Sequence, residues 1–185
     1  MTMHRSVAGS ALANVCPMDE RQLNLVLMRH AKSAYPSGVS DHDRPLAPRG
    51  TREARLAGDW LRANLPTIDA VLCSTATRAR ETLECTGIEA PARYAVQLYG
   101  ATPGVVIEQI NKVGDEVTTL LVVGHEPTTS SLALILADTD TSNNAAVEGI
   151  SEKYPTSGIA VLNVPGHWSQ LAPGGAALVD FHVPR

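Results

Sequence analysis

Three short apolar runs, each closed by a polar cluster, set the pattern of this chain. Leu25-Val26-Leu27-Met28 leads into Arg29-His30, and Ala70-Val71-Leu72-Cys73 into Ser74-Thr75-Ala76-Thr77-Arg78. Leu120-Leu121-Val122-Val123 leads into Gly124-His125-Glu126-Pro127. Unbroken apolar runs of this kind predict strands buried on both faces, as in a parallel sheet covered by helices. Between them the period changes. Over residues 52–65, Ala54, Ala57, Gly58, Leu61 and Leu65 recur with helical spacing, which predicts a helix ended by Pro66. Residues 78–86 predict a second helix closed by Gly87, and residues 94–99 a strand. Residues 105–113 carry Val106, Ile110 and Val113 on one helical face and stop at Gly114. Residues 118–123 form the most hydrophobic strand, and 130–137 an apolar helix. Residues 158–164 and 178–182 read as closing strands, with a turn region between them. Residues 34–49 make a polar loop rich in Pro and Gly. Residues 138–157, with Asn143-Asn144, are expected to form a mobile loop over the strand ends.

Strands alternating with helices imply an α/β fold: a three-layer α/β/α sandwich with a mainly parallel central sheet. With 185 residues, 44 % of them hydrophobic, the chain can build one domain around a buried sheet but not two full ones. The expected organisation is a flexible N-terminal extension over residues 1–22 and a single domain over 23–185. Aromatic residues make up only 4 %, so the core must come mainly from Val, Leu, Ile and Ala.

Charge and cysteine usage narrow the classes. A formal net charge of −4 argues against non-specific binding to nucleic acid or to a membrane surface. An acidic chain that takes an acidic ligand must concentrate positive charge locally. Cys16, Cys73 and Cys85 stand at unrelated spacings without a metal-like pair, which fits a reducing compartment. Residues 4–13 imitate a signal peptide weakly, but they lack a sustained apolar stretch, and Val15 before Cys16 is a poor cleavage site. The expected location is therefore cytoplasmic. No run approaches the roughly 20 apolar residues needed to span a bilayer.

In an open α/β sheet, ligands bind in the crevice beyond the carboxyl ends of the strands. Here those ends carry Arg29, His30, Arg78 and His125. A planar guanidinium grips two phosphate oxygens at once, and Arg78 falls near the start of a helix, where anions are favoured. A neutral imidazole is a nucleophile for phosphorus, and neighbouring arginines keep it neutral by like-charge repulsion. These residues point to phosphoryl transfer: His30 as nucleophile, Arg29 and Arg78 on the oxygens, and His125 donating to the developing charge. Lys32 and Arg44 either extend the positive field toward a substrate or are ordinary surface charges.

The same segments resemble a known family. Leu27-Met28-Arg29-His30-Ala31-Lys32-Ser33 resembles the nucleophile motif of the histidine phosphatase superfamily, which has the phosphoglycerate mutase-like fold. Ser74-Thr75-Ala76-Thr77-Arg78-Ala79-Arg80-Glu81-Thr82 is similar to its second motif, and Gly124-His125-Glu126-Pro127 to its third. Asp43-Arg44-Pro45-Leu46, Arg49-Gly50 and Pro155-Thr156-Ser157-Gly158 resemble the small branch typified by the phosphohistidine phosphatase SixA. The resemblance implies that His30 is phosphorylated during turnover and that Arg29, Arg78 and His125 complete the phosphate pocket. It also implies that neither metal nor cofactor takes part. The implied partner is a protein carrying phosphohistidine, or a small phosphorylated metabolite.

The mutase-type members carry a catalytic Glu after the third strand, where this chain reads Leu98-Tyr99-Gly100-Ala101-Thr102-Pro103. Alkoxide departure needs an acid, whereas a protonated phosphoimidazole leaves as neutral imidazole, whose conjugate acid has a pKa of about 6.5. That difference favours phosphohistidine. Glu126 reads either as an acidic proton donor beside His125 or as a solvated loop carboxylate. A small-molecule phosphomonoesterase on the same scaffold is the main alternative, followed by a phospho-ligand binding module without turnover. A cysteine phosphatase is disfavoured, because only Ser74, Thr75, Ala76 and Thr77 separate Cys73 from Arg78, whereas that class places five residues between its Cys and Arg. A zinc hydrolase is disfavoured by the arginines, which repel a cation.

Overall fold

The computed structural model describes residues 22–185, so Cys16, His4 and the extension expected before the first strand lie outside the described residues. Six strands form one sheet: β1 (Gln22–Arg29), β2 (Ala70–Ser74), β3 (Ala92–Ala95), β4 (Thr119–Gly124), β5 (Ile159–Pro165) and β6 (Ala177–His182). Their spatial order is β3-β2-β4-β1-β5-β6. β3, β2, β4 and β1 run parallel; β5 pairs antiparallel with β1, and β6 antiparallel with β5 at the sheet's edge. The α/β sandwich with a mainly parallel sheet is therefore present.

Side chains of one strand alternate between two cores, as the pleat requires. Leu23, Leu25 and Leu27 of β1, with Leu120 and Val122 of β4 and Leu72 of β2, pack with residues such as Ile110, Leu132, Leu136 and Ile150. Val26 and Met28 point the other way, together with Leu121, Val123 and Cys73, toward Ala57, Leu61, Ala79 and Leu83. Helices α1 (Pro48–Asn64) and α2 (Thr77–Thr86) thus cover one face. Helices α3 (Pro103–Ile110), α4 (Thr128–Leu136) and α5 (Asn144–Glu152) cover the other. β1 and β4 are neighbours, yet the helices that follow them go to opposite faces. The crevice opened at their exits is the topological switch point at which ligands bind in such sheets.

Four elements depart from the sequence pattern. Helix α1 begins at Pro48 instead of residue 52, because proline is pre-organised for a helix's first turn, where its missing N–H is no loss. Pro103 starts α3 early for the same reason. The strand expected over 94–99 is confined to Ala92–Ala95, and Val96–Leu98 turn into a short 3₁₀ segment with Leu98 buried. The mobile loop expected over 138–157 is largely α5. The Asn143 side chain accepts from the Ala145 and Ala146 N–H groups, and Ala146 and Ile150 bury one turn apart. That helix packs on α4 and β6, so it is part of the layer and not a lid.

Candidate active site

β1, β4 and β2 are consecutive in the sheet, and their ends bring His30, His125, Ser74 and Arg78 together. His30 is buried to 8 % exposure, with its ring centroid 5.1 Å from that of His125. Its Nδ1 lies 2.7 Å from the Ala31 carbonyl oxygen. A carbonyl can only accept, so Nδ1 carries the proton and Nε2 keeps its lone pair. Arg78 Nε donates to that Nε2 at 3.2 Å, which requires the same tautomer. Burial, and then the nearby His125, Arg78 and Arg29, push the His30 pKa down to about 3, so the ring is neutral at physiological pH.

Arg78 is held from two directions. Its backbone opens α2, and the Thr82 hydroxyl one turn later donates to the Arg78 carbonyl while accepting the Ala31 N–H at 2.9 Å. One hydroxyl thereby fastens the second motif to the segment after His30. The guanidinium is buried to 5 % exposure and donates from NH1 to the Asp41 carbonyl oxygen at 2.6 Å and from NH2 to the Asp41 carboxylate at 3.1 Å. Tyr99 donates to the same carboxylate oxygen at 2.7 Å, and Arg44 pairs with the other at 2.8 Å. Tyr99, Arg44 and Arg78 together hold the Asp41 carboxyl far below the usual carboxylate range.

Arg29 is half-buried and donates from NH1 to the Tyr154 carbonyl oxygen at 2.6 Å. Burial lowers its pKa from the ordinary guanidinium value. Among the described residues its buried Nε has no partner, and neither do His125 Nδ1 and the Ser157 hydroxyl. Buried polar atoms without partners are rare in folded proteins. These three sit on residues at or just beyond the ends of β1, β4 and β5, around the His30 backbone, to which the Ser157 N–H donates at 3.3 Å. Ser157 itself adopts φ 62°, a left-handed conformation that a serine takes only when its surroundings impose it. Buried nitrogen and hydroxyl groups without a protein partner suit an anion.

The remaining sequence candidates fall on the periphery. Arg44 is tied to Asp41, to the Ser33 hydroxyl at 2.7 Å and to the face of Tyr35 at 4.0 Å, so it meets Arg78 only through Asp41. Lys32 is exposed, with its ammonium 5.7 Å from the Tyr35 ring. Both Glu126 oxygens are engaged by the first turn of α4, one by the Ser130 N–H at 3.0 Å and one by the Ser130 hydroxyl at 2.6 Å. Cys73 is fully buried and its thiol is pushed up to about 12 by burial, which makes it inert as a nucleophile. Asp41 and Tyr99 are the residues that sequence reasoning missed. They lie in loops far apart in the chain, and the hydrogen bond that joins them follows no local period. His42, next to Asp41 in the same loop, packs edge-on to Tyr99 and lies 3.0 Å from the Thr75 hydroxyl.

Known proteins resemble this chain in sequence and in fold. The family model of the histidine phosphatase superfamily (branch 1) matches residues 25–97. The phosphohistidine phosphatase SixA of Escherichia coli is 31 % identical over 128 residues, 64 % of this chain and 77 % of that one. An uncharacterized Mycobacterium tuberculosis protein is 74 % identical over 158 residues, 85 % of this chain and 100 % of its own length. Among solved structures, a Nakamurella multipartitia protein assigned provisionally as a phosphohistidine phosphatase SixA matches with a TM-score of 0.81 at 40 % identity. That match covers 88 % of this chain and 96 % of the other. Sequence and three-dimensional likeness converge on one lineage, and the chain belongs to the histidine phosphatase superfamily, alongside its SixA-type members.

Proposed function

We propose that this protein is a metal-independent phosphatase that removes phosphate from phosphohistidine in other proteins, in the cytoplasm, through a phosphohistidine formed on His30. The observation that carries the reading is the state of His30: neutral, with Nδ1–H donating to the Ala31 carbonyl and the Nε2 lone pair facing Arg78. Nε2 attacks phosphorus, the P–N bond of the substrate breaks, and its electron pair returns to the departing imidazole. The Arg78 Nε–H, which loses its acceptor as Nε2 bonds phosphorus, turns to a phosphoryl oxygen. Arg29 and His125 donate to the others. Water then attacks the phosphorus on His30 and the P–Nε2 bond breaks. Because Nδ1 keeps its proton throughout, His30 leaves as neutral imidazole.

The carboxylates touching the site support a phosphoramidate over an alkyl ester. Asp41 is held ionised by its three partners, and Glu126 is engaged by Ser130. Neither is set to protonate an alkoxide, whereas a protonated phosphoimidazole needs no such help. The likeness to SixA, named as a phosphohistidine phosphatase, points the same way.

The test compares three substrates at equal phosphate concentration: a protein phosphorylated on histidine, p-nitrophenyl phosphate and an alkyl phosphate. The expected kcat/KM on the phosphohistidine protein exceeds that on the alkyl phosphate by at least about 100-fold, the scale of one general acid. Activity survives a chelator and is lost in His30→Ala. Equal rates on the alkyl phosphate would favour a small-molecule phosphomonoesterase instead. Loss of activity to the chelator would overturn the metal-independent mechanism.

A further inference from the structure

The single proton of the His125 imidazole has two places to go, and the surroundings decide between them. The ring is buried to 8 % exposure, and burial together with Arg78 pushes its pKa down to about 4. It therefore holds one proton at neutral pH, on Nδ1 or on Nε2. Nε2 lies 2.8 Å from the Ser74 hydroxyl oxygen, and Nδ1 is buried without a partner among the described residues. Ser74 is fully buried at the end of β2. Among the described residues, its hydroxyl oxygen meets two groups: His125 Nε2 and the Ala76 N–H, which donates to it at 3.3 Å.

Hydrogen-bond satisfaction then fixes the direction. The Ala76 amide can only donate. If His125 Nε2 also donated, the Ser74 O–H would be left in a dry interior with no acceptor, an arrangement that is strongly disfavoured. If Ser74 donates instead, every group between the two residues is satisfied, and the imidazole proton is forced onto Nδ1. That is the nitrogen left open, and a phosphoryl oxygen can be met only by a nitrogen bearing hydrogen. The His125 backbone is fixed as well, since the Thr129 hydroxyl donates to its carbonyl oxygen at 2.9 Å.

We propose that Ser74 is a positioning residue that sets the tautomer of His125, donating to Nε2 so that Nδ1–H is presented to the anion. Ser74 touches no reacting atom; it acts through His125 alone. The catalytic consequence rests on the phosphatase reading given above, whereas the tautomer does not. In the other direction, an Nε2–H tautomer would turn a bare lone pair toward the phosphate and repel it.

The experiment uses the full chain, labelled with ¹⁵N-histidine, at neutral pH and without ligand. The ring nitrogen shifts of His125 report the tautomer directly. The expected result is Nδ1–H in the wild type and a shift toward Nε2–H in Ser74→Ala, with recovery in Ser74→Thr. Nε2–H in the wild type would overturn the proposal even if Ser74→Ala did not fold. So would an Nδ1–H tautomer unchanged in a folded Ser74→Ala. In parallel, Ser74→Ala is expected to lower kcat on p-nitrophenyl phosphate about tenfold with little change in KM. The substitution is expected to cost nothing further in a His125→Ala background. Full additivity there would also overturn it. A wild type without turnover would end the phosphatase reading, and the ¹⁵N result would still decide the tautomer.

Discussion

The Asp41 carboxylate is the residue whose role the chain conceals best. It is exposed, ionised, and shared by Arg78, Arg44 and Tyr99, so in the free protein the cation intended for phosphate already has a negative neighbour. In Asp41→Asn the backbone carbonyl still holds the Arg78 NH1, and the amide oxygen can accept from NH2, so the orientation survives while the charge is gone. Inhibition by orthovanadate or inorganic phosphate is expected to tighten roughly threefold to fivefold, the size of a partly exposed ion pair. The gain should shrink at high salt. Unchanged or weaker inhibition at low salt would remove Asp41 from the electrostatics of the pocket. Arg29, His30 and His125 were legible in the sequence because each follows an apolar run that can only be a buried strand. The pairing of Asp41 with Tyr99 was not, because it joins two loops 58 positions apart through contacts that no local period records.

Among the elements, the buried strands and the amphipathic helices announce themselves, and the failures have specific causes. Helix α5 was hidden by its composition. Its buried stripe is narrow, Ala146 and Ile150, and the rest is largely Asn, Glu, Ser and Gly; the one usable signal was Asn143 as an N-cap. The strand expected over 94–99 was suggested by Tyr94, Val96 and Tyr99, but Tyr94 and Val96 are exposed, and the sheet needs only four residues there. The close crossing of α1 and α2 depends on Gly58, where an added Cβ would lie 1.9 Å from the Thr86 carbonyl oxygen. Backbone cannot yield as a side-chain tip can. Gly58→Ala is expected to destabilise the fold by about 1–3 kcal/mol, read as a lower urea midpoint at unchanged m-value. A midpoint equal to that of the wild type would mean that the two helices can part without cost.

At the scale of the molecule, the site is bought with buried neutral histidines, and this ties stability to pH. His30 and His125 have folded pKa values of about 3 and about 4, against an ordinary value of 6.5. Below pH 6.5 the unfolded chain binds protons at these positions that the folded one refuses, so the unfolded state gains as pH falls. Moving from about pH 7 to about pH 5.5 is expected to lower the unfolding free energy by on the order of 2 kcal/mol from this pair. Denaturant titrations at the two pH values measure it, and His30→Asn should remove about half of the difference. A pH-independent midpoint across that range would show that the rings titrate in the native state as they do in the unfolded chain.

The Thr82 hydroxyl, bound at once to the Arg78 carbonyl and to the Ala31 amide, makes a rivet between two strand exits. Its consequence concerns entropy. The relative placement of nucleophile and guanidinium is completed while the chain folds, so no segment has to be frozen when an anion arrives, and affinity is not diminished by the disorder that a closing loop would surrender.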